Sequence, residues 1–167
     1  MGAPLPRILA YGLGAMAVIS TLAVLGATDG RPVPEWGPST PKSRASADRV
    51  LAAKSRDINR ASVGETRVAA FLGAEFGMSE QEIVEERMAL GASWGNFTIA
   101  HTLAISDKQG MTVAQVLQLH DSGLGWGQVA AGLGMNLDDV VRAVTTESHV
   151  AMGRAHADGK VAPIRER

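Results

Sequence analysis

The chain of 167 residues contains no cysteine. This absence excludes disulfide bonds, thiolate metal ligands and cysteine nucleophiles. It is compatible with either side of a membrane, so it gives no information about where the protein is located.

An excess of charge of one sign is also absent. The chain has 16 lysine and arginine residues against 17 aspartate and glutamate residues, which gives a formal net charge of −1 at pH 7. Proteins that bind nucleic acid through its phosphates concentrate positive charge, and acidic interaction tails concentrate negative charge. The composition predicts neither.

Aromatic residues are scarce, at 4% of the chain, although 46% of the residues are hydrophobic. Alanine, leucine, valine and methionine must therefore fill most of the core, and alanine is the best helix former. The alternating β-branched or aromatic runs that are typical of strands are few. We predict an all-α fold, a compact bundle of about six or seven short helices with a helix-turn-helix-like C-terminal part, behind an N-terminal apolar helix.

One long uncharged run stands near the N-terminus, at residues 8–28, and includes Ile8, Gly14 and Leu22. A membrane-spanning helix needs about 20 apolar residues, and this run has that length. A secretory signal has a shorter apolar stretch before a small-x-small cleavage site, and Val24 or Leu25 would stand at the −3 position here. We predict a membrane anchor in residues 1–28, with a cleaved signal as the alternative.

Residues 29–45 hold four prolines without a hydrophobic period, which is typical of an extended, semi-rigid spacer. We expect the helical domain, residues 46–150, on the extracytoplasmic side of a membrane, with secretion after signal cleavage as the alternative. Basic residues flank both ends of the apolar run, so the positive-inside rule does not set its orientation. Residues 151–167 are predicted to form a flexible tail.

Three segments repeat a glycine, a methionine and a polar residue: Gly77-Met78-Ser79, Gly110-Met111-Thr112 and Gly134-Met135-Asn136. In each, the glycine can end one helix in the left-handed conformation, and the polar residue can cap the next helix. Glu82, Gln115 and Asp139 stand three places after these caps. The pairs predict capping boxes, strict for the first two and approximate for the third. Ser62 with Glu65 predicts another helix start of the same kind.

These signals predict helices near residues 47–60, 63–76, 80–90, 94–108, 113–121, 126–133 and 137–150. The first two glycine segments remain similar as far as Trp94-Gly95 and Trp126-Gly127, after one deletion. This likeness indicates an internal duplication of a helix pair with a period of about 33 residues. Two copies are too few for a solenoid, so we expect a single closed bundle. The residues predicted to pack in its core are Trp94, Trp126, Leu133 and Val140.

Residues 126–144 resemble the DNA-binding helix-turn-helix of bacterial regulators, with Ala130 at the helix crossing and Gly134 in the turn. The resemblance implies that the second helix enters the major groove of DNA. We expect the outward residues of that helix to be Asp138, Asp139, Arg142 and Glu147. Aspartates at the base-facing end repel phosphate and suit the positive end of the helix dipole instead. We therefore expect no DNA binding.

No pattern of residues predicts a reaction. His101 is expected to be a hydrogen-bonded core histidine, His120 closes a helix, and His149 and His156 stand too far apart to be ligands on adjacent turns. The glycines at 123–127 lack the strand and the lysine of a phosphate loop. The acidic run at residues 80–86 is typical of a solvated helix face. We predict no catalytic residue, no cofactor and no metal.

The resulting hypothesis is a non-enzymatic, membrane-tethered or exported helical module that binds another protein, for example as an accessory subunit of a membrane protein complex. One alternative is a DNA-binding regulator that uses residues 126–144. The other is an enzyme or metal-binding protein whose site is assembled from scattered histidines and carboxylates.

The membrane anchor can be tested by fractionation. If residues 8–28 are retained as an anchor, the intact protein stays with the membranes after a carbonate wash and begins at or near Met1. A soluble protein that begins near Thr28 would contradict anchoring and establish a cleaved signal.

Overall fold

A computed structural model describes residues 39–61 and 65–165. The predicted apolar segment, with Ile8, Gly14 and Leu22, lies outside the described residues, and so does the predicted cap Ser62. In the described part all regular secondary structure is helical, which confirms the predicted all-α class. None of the helices described is both long enough and apolar enough to cross a bilayer.

The described part contains seven helices. They are α1 (Pro41–Ala61), α2 (Glu65–Phe76), α3 (Glu80–Ala89), α4 (Trp94–Ser106), α5 (Val113–Asp121), α6 (Trp126–Gly132) and α7 (Leu137–Ala151).

Helix α1 begins earlier than the sequence analysis predicts. The hydroxyl oxygen of Thr40 accepts a hydrogen bond of 3.1 Å from the backbone N–H of Ser43. Pro41 occupies the first helical position, where its fixed φ suits the helix and its missing N–H would have no intrahelical partner. The predicted spacer, residues 29–45, is therefore wrong at its end, because its last five residues belong to α1. The fourth proline is a helix-start signal.

The two repeated helix pairs, α3–α4 and α5–α6, each begin with a reciprocal capping box. The Ser79 side chain accepts the backbone N–H of Glu82, whose carboxylate accepts the N–H of Ser79 at 2.7 Å. Thr112 and Gln115 form the same pair of bonds, with 2.9 Å from the Thr112 N–H to the Gln115 side-chain oxygen. The glycines two residues before these caps have φ angles of 71° and 75°, which suit glycine.

Helix α7 begins differently. The Asn136 side chain caps it by accepting the backbone N–H groups of Asp138 and Asp139. The Asp139 carboxylate does not return to the cap, because it accepts hydrogen bonds from Arg142 and from the side chain and backbone of Arg165. The Asn136 N–H instead donates to the carbonyl oxygen of Arg165 at 2.8 Å. The predicted approximate capping box at Asp139 is therefore wrong, and Arg165 supplies the acceptor.

The core consists of two contiguous apolar clusters. The larger cluster joins α1, α4, α5, α6 and α7 around buried side chains such as Leu51, Ile99 and Val144. The smaller cluster joins α1, α2, α3 and the start of α4 around Ile58 and Phe97. The four side chains that the sequence places in the core are all buried: Trp94, Trp126, Leu133 and Val140.

Helix α1 lies against the first turns of α4 and α6, and glycine permits both approaches. A Cβ atom at Gly95 would lie 2.2 Å from the carbonyl oxygen of Ser55, and a Cβ atom at Gly127 would lie 2.5 Å from the carbonyl oxygen of Arg44. Both distances are shorter than a carbon and an oxygen can tolerate without moving. Only glycine, which has no Cβ, fits these two positions.

Polar side chains of α1 also bind the starts of the two helices. The Asn59 side-chain oxygen accepts the backbone N–H of Gly95 at 2.7 Å, and the Asp48 carboxylate accepts the N–H of Gly127. The first N–H groups of a helix have no acceptor within that helix, so an outside acceptor satisfies them. Asn59 and Asp48 stand eleven residues apart, about three helical turns, so α1 presents one face to both repeats.

After α7, residues 152–165 run back over α2 and α7, and we call this segment the C-terminal strap. The backbone N–H groups of Asp158 and Gly159 donate to the Glu75 carboxylate at 2.9 and 3.3 Å. Ile164 packs against the larger apolar cluster. The segment that the sequence analysis predicts as a flexible tail thus makes specific contacts with both helices.

Alanine substitutions at Gly95 and Gly127 test the close approach of α1. Each added methyl group overlaps a backbone carbonyl of α1, so we expect each variant to lose about 1–3 kcal/mol of unfolding free energy, measured by denaturant titration. Gly132→Ala is the matched control, because Gly132 is exposed at the end of α6 and alanine is the better helix former. Wild-type stability in both test variants would mean that α1 does not approach these helices so closely.

Candidate functional site

An open groove of about 440 Å³ lies between the start of α1 and the start of α7. Its apolar lining comes from Ala47 and Val50 of α1 and from Leu137 and Val141 of α7. The polar residues that line it are Thr40, Lys42, Ser43, Ser46 and Asp138. An apolar surface bordered by polar groups is the usual composition of a protein-binding patch.

The two helices that line the groove are well packed. Helices α1 and α7 pack directly against each other, and Ala47 and Leu137 are buried members of the larger apolar cluster. Val50, in contrast, is 36% exposed, so its side chain is accessible at the groove. Lys42 and Asp138 place one positive and one negative group at the groove, so it does not select a partner by charge of one sign.

An ion-pair network holds the C-terminal strap beside this groove. The Asp139 side chain is 2% exposed and accepts hydrogen bonds from Arg165, with 2.8 Å from the guanidinium Nε to the carboxylate. These hydrogen bonds are the main reason that the pKa of Asp139 is lowered to about 2. The carboxylate is therefore charged at neutral pH, and Arg165 stays next to the first turn of α7.

The predicted helix-turn-helix segment, residues 126–144, contains α6, a turn with Gly134 at a φ of 72°, and the first part of α7. The predicted outward face of its second helix is partly wrong, because Asp139 and Glu147 are buried, at 2% and 0% exposure. Glu147 stands seven residues after Val140, which is about two turns, and so it shares the inward face of that residue. The exposed side chains of α7 are Asp138, Arg142, Thr146 and His149.

This exposed face has few groups that read DNA. Base edges are recognised mainly by arginine, lysine, asparagine and glutamine, and phosphates by cations. Arg142 is the one arginine on the face, and it already forms an ion pair with Asp139.

His101 is the hydrogen-bonded core histidine that the sequence predicts. Its ring packs against Phe76 and Phe97, with centroid distances of 4.7 and 4.5 Å. Its Nε2 atom lies 2.9 Å from a carboxylate oxygen of Glu86. Burial lowers the pKa of His101, while Glu86 acts in the opposite direction. This histidine is therefore part of the packing between α3 and α4.

Each repeat places a basic side chain over the tryptophan that begins its second helix. The Arg87 guanidinium lies 4.6 Å from the Trp94 ring centroid and donates to the carbonyl oxygen two residues before Trp94, at 3.1 Å. The His120 ring stacks on Trp126 at 4.0 Å, and its Nδ1 lies 2.9 Å from the carbonyl oxygen two residues before Trp126. Trp94 and Trp126 thus have matching contacts, and His120 has a packing role.

The glycine-rich segment at residues 123–127 does not offer its N–H groups to a phosphate. The Gly127 N–H is taken by the Asp48 carboxylate, and a Cβ atom at Gly125 would overlap that same carboxylate. A phosphate at a helix start needs open N–H groups and no neighbouring negative charge. Gly125 and Gly127 instead allow α1 to approach the start of α6 closely.

The remaining histidines and carboxylates that could form a catalytic or metal site do not lie together. His149 and His156 are exposed, and in the acidic run Glu82 serves the Ser79 cap while Glu86 binds His101. In the described ranges, 39–61 and 65–165, no group of three or more histidine, aspartate or glutamate side chains is placed to hold a metal ion.

Two buried acids are missed by the sequence analysis. Glu75 of α2 is 3% exposed and Glu147 of α7 is fully buried. Burial is the main reason that the pKa of Glu147 is raised to about 8, and burial also raises the pKa of Glu75. The helical period of α7 is a signal for Glu147, since it falls on the apolar face. Glu75 has a weaker signal, a single acid at the end of the uncharged run that follows Arg67 in α2.

Comparisons with protein-family models, with curated proteins and with solved structures give no match. A function for this chain therefore has to be argued from the geometry of its own residues.

Proposed function

We propose that this protein is a non-enzymatic, membrane-tethered or exported helical module that binds another protein through the groove between α1 and α7. The observation that carries the proposal is the position of this groove. One wall of the groove is the first part of α1, from Lys42 to Val50, which follows the predicted anchor and spacer directly in the chain.

The length of the spacer limits how far the groove can lie from a membrane. Between Thr28, the last residue of the predicted anchor, and Pro41, the first residue of α1, a fully extended chain reaches at most about 45 Å. Lys42 and Ser43 of the first turn of α1 already line the groove. An anchored domain would thus hold the groove within about 45 Å of the bilayer surface, so we propose a membrane protein as the partner.

The lining of the groove indicates the kind of segment that it binds. Its walls are two packed helices with short apolar side chains, and Lys42 and Asp138 offer one charge of each sign. An amphipathic helix that lays a few apolar side chains into such a groove is a common mode of recognition. We propose that the partner contributes a membrane-proximal amphipathic segment of mixed charge.

The alternatives have less support. DNA binding would require α7 to present cations and amides, and its exposed face offers Asp138 and an arginine that is already paired. An enzyme would require side chains that converge on a cleft, and His101 and His120 are separately engaged in packing contacts within the two repeats.

Site-specific photocrosslinking in native membranes tests the proposed groove. A photoreactive amino acid at Val50, which lines the groove, is expected to form an adduct with a membrane protein that survives a carbonate wash. The same amino acid at Gln118, which is exposed on α5, is the matched control and is expected to form none. Adding Val141→Asp to the Val50 probe should weaken the adduct, because burying an unpaired charge in an apolar contact is unfavourable.

Adducts of equal yield from both positions, or an adduct from Gln118 alone, would contradict the groove as the binding site. No adduct from Val50 in intact membranes would contradict a membrane partner.

A further inference from the structure

Two carboxylic acids lie buried beneath the C-terminal strap. Glu75 of α2 is held by hydrogen bonds from the backbone N–H groups of Asp158 and Gly159. Glu147 of α7 is fully buried, and neither of its oxygens has a hydrogen-bond partner in the described structure. A carboxylate in such a position has lost its hydration without replacement, which strongly disfavours the charged form.

The strap covers this pair with few contacts of its own. Its backbone is close to α2, since a Cβ atom at Gly159 would lie 3.7 Å from the carbonyl oxygen of Ala74. The backbone N–H of Ala162 acts on Glu147 and favours its charged form, although it does not make a hydrogen bond to it. Most side chains of the strap are exposed. Lifting residues 158–162 of the strap, with Ile164 left in place, would therefore expose little apolar surface while admitting water to both acids.

We propose that the C-terminal strap is a pH-sensitive latch, which stays closed while Glu147 is protonated and lifts when Glu147 ionises beside Glu75 and Asp158.

Among the described residues, no cation contributes to the pKa shift of Glu147, although the Arg67 guanidinium of α2 lies against Gly153 of the strap. The charged groups that act on it are Glu75 from α2 and Asp158 from the strap, both acidic. Among the described residues of α1 and α4, which also pack on α7, none contributes a charge to this interaction. The basic side chains closest to it in the chain are exposed: His149, Arg142, Arg154 and His156. Arg142 is paired with Asp139. Ionisation of Glu147 therefore adds a second negative charge to a buried acidic site.

The direction of the pH effect follows from proton binding. Burial, reinforced by Glu75 and Asp158, raises the pKa of Glu147 from its ordinary 4.5 to about 8 while the strap is closed. In the open form the side chain is hydrated and its pKa returns towards 4.5. The open form thus binds fewer protons between pH 4.5 and about 8, and the equilibrium constant for opening rises about tenfold per pH unit across this window. Above the window it levels off.

The other end of the strap does not titrate in this window. The pKa of Asp139 is lowered to about 2 by its hydrogen bonds from Arg165, so this ion pair persists from pH 4.5 upwards. Because the Asp139–Arg165 ion pair persists, the pH response of the strap comes from Glu147 and its acidic neighbours and not from this ion pair.

Hydrogen–deuterium exchange of the full chain in detergent micelles tests the latch. After correction for the intrinsic rate, protection of strap amides is expected to fall about 50-fold from pH 6 to pH 8, because the tenfold rise per pH unit levels off near the closed-state pKa of about 8. Amides of α4 should stay more strongly protected than those of the strap at both values. Glu147→Gln should abolish the fall, whereas Glu85→Gln, at an exposed glutamate of α3, should leave it as in the wild type.

Glu75→Gln provides a second variant that keeps Glu147. It removes a neighbouring negative charge, so the pH at which protection levels off should move downwards. The latch is overturned if strap protection is the same at pH 6 and pH 8, or if the strap and α4 lose protection equally, since the opening would then be global unfolding. It is also overturned if Glu147→Gln responds like the wild type, or if Glu75→Gln leaves the pH profile unmoved.

Discussion

Helix α1 accepts the first N–H groups of two other helices, through Asn59 at Gly95 and Asp48 at Gly127. The absence of side chains at these glycines lets the backbones approach until no Cβ atom would fit. The two repeats are thereby held against one face of a single helix, which also packs on α7. The groove depends on this arrangement, because one of its walls is the first part of α1 and the other is α7.

Local signals account for the parts of the fold that the sequence predicts. Ser79 and Thr112 begin helices because each cap is completed by a residue three places away. The start of α1 follows the same chemistry at Thr40 and Pro41, but the neighbouring prolines favour the interpretation as a spacer. The burial of Glu147 follows from the helical period, because this residue stands two turns after the buried Val140. The sequence-based prediction nevertheless placed Glu147 on the outward face of α7.

Contacts between distant residues account for the rest. Asp139 and Arg165 stand 26 residues apart, and Glu75 meets backbone N–H groups 83 and 84 residues away. No local pattern indicates such pairs, so the strap is interpreted from sequence as a flexible tail. The groove cannot be predicted from local sequence either, because it forms only when the start of α1 lies beside the start of α7. The groove and the strap thus both depend on tertiary contacts.

Amide hydrogen exchange at Gly95 and Gly127 tests the central role of α1 most directly. These two N–H groups lie in the first turns of their helices, so their protection depends on acceptors from α1. Asn59→Ala is expected to accelerate exchange at Gly95 and leave Gly127 unchanged, and Asp48→Ala is expected to do the reverse. Unchanged exchange at both glycines in both variants would contradict the account, because α1 would then not hold the two repeats.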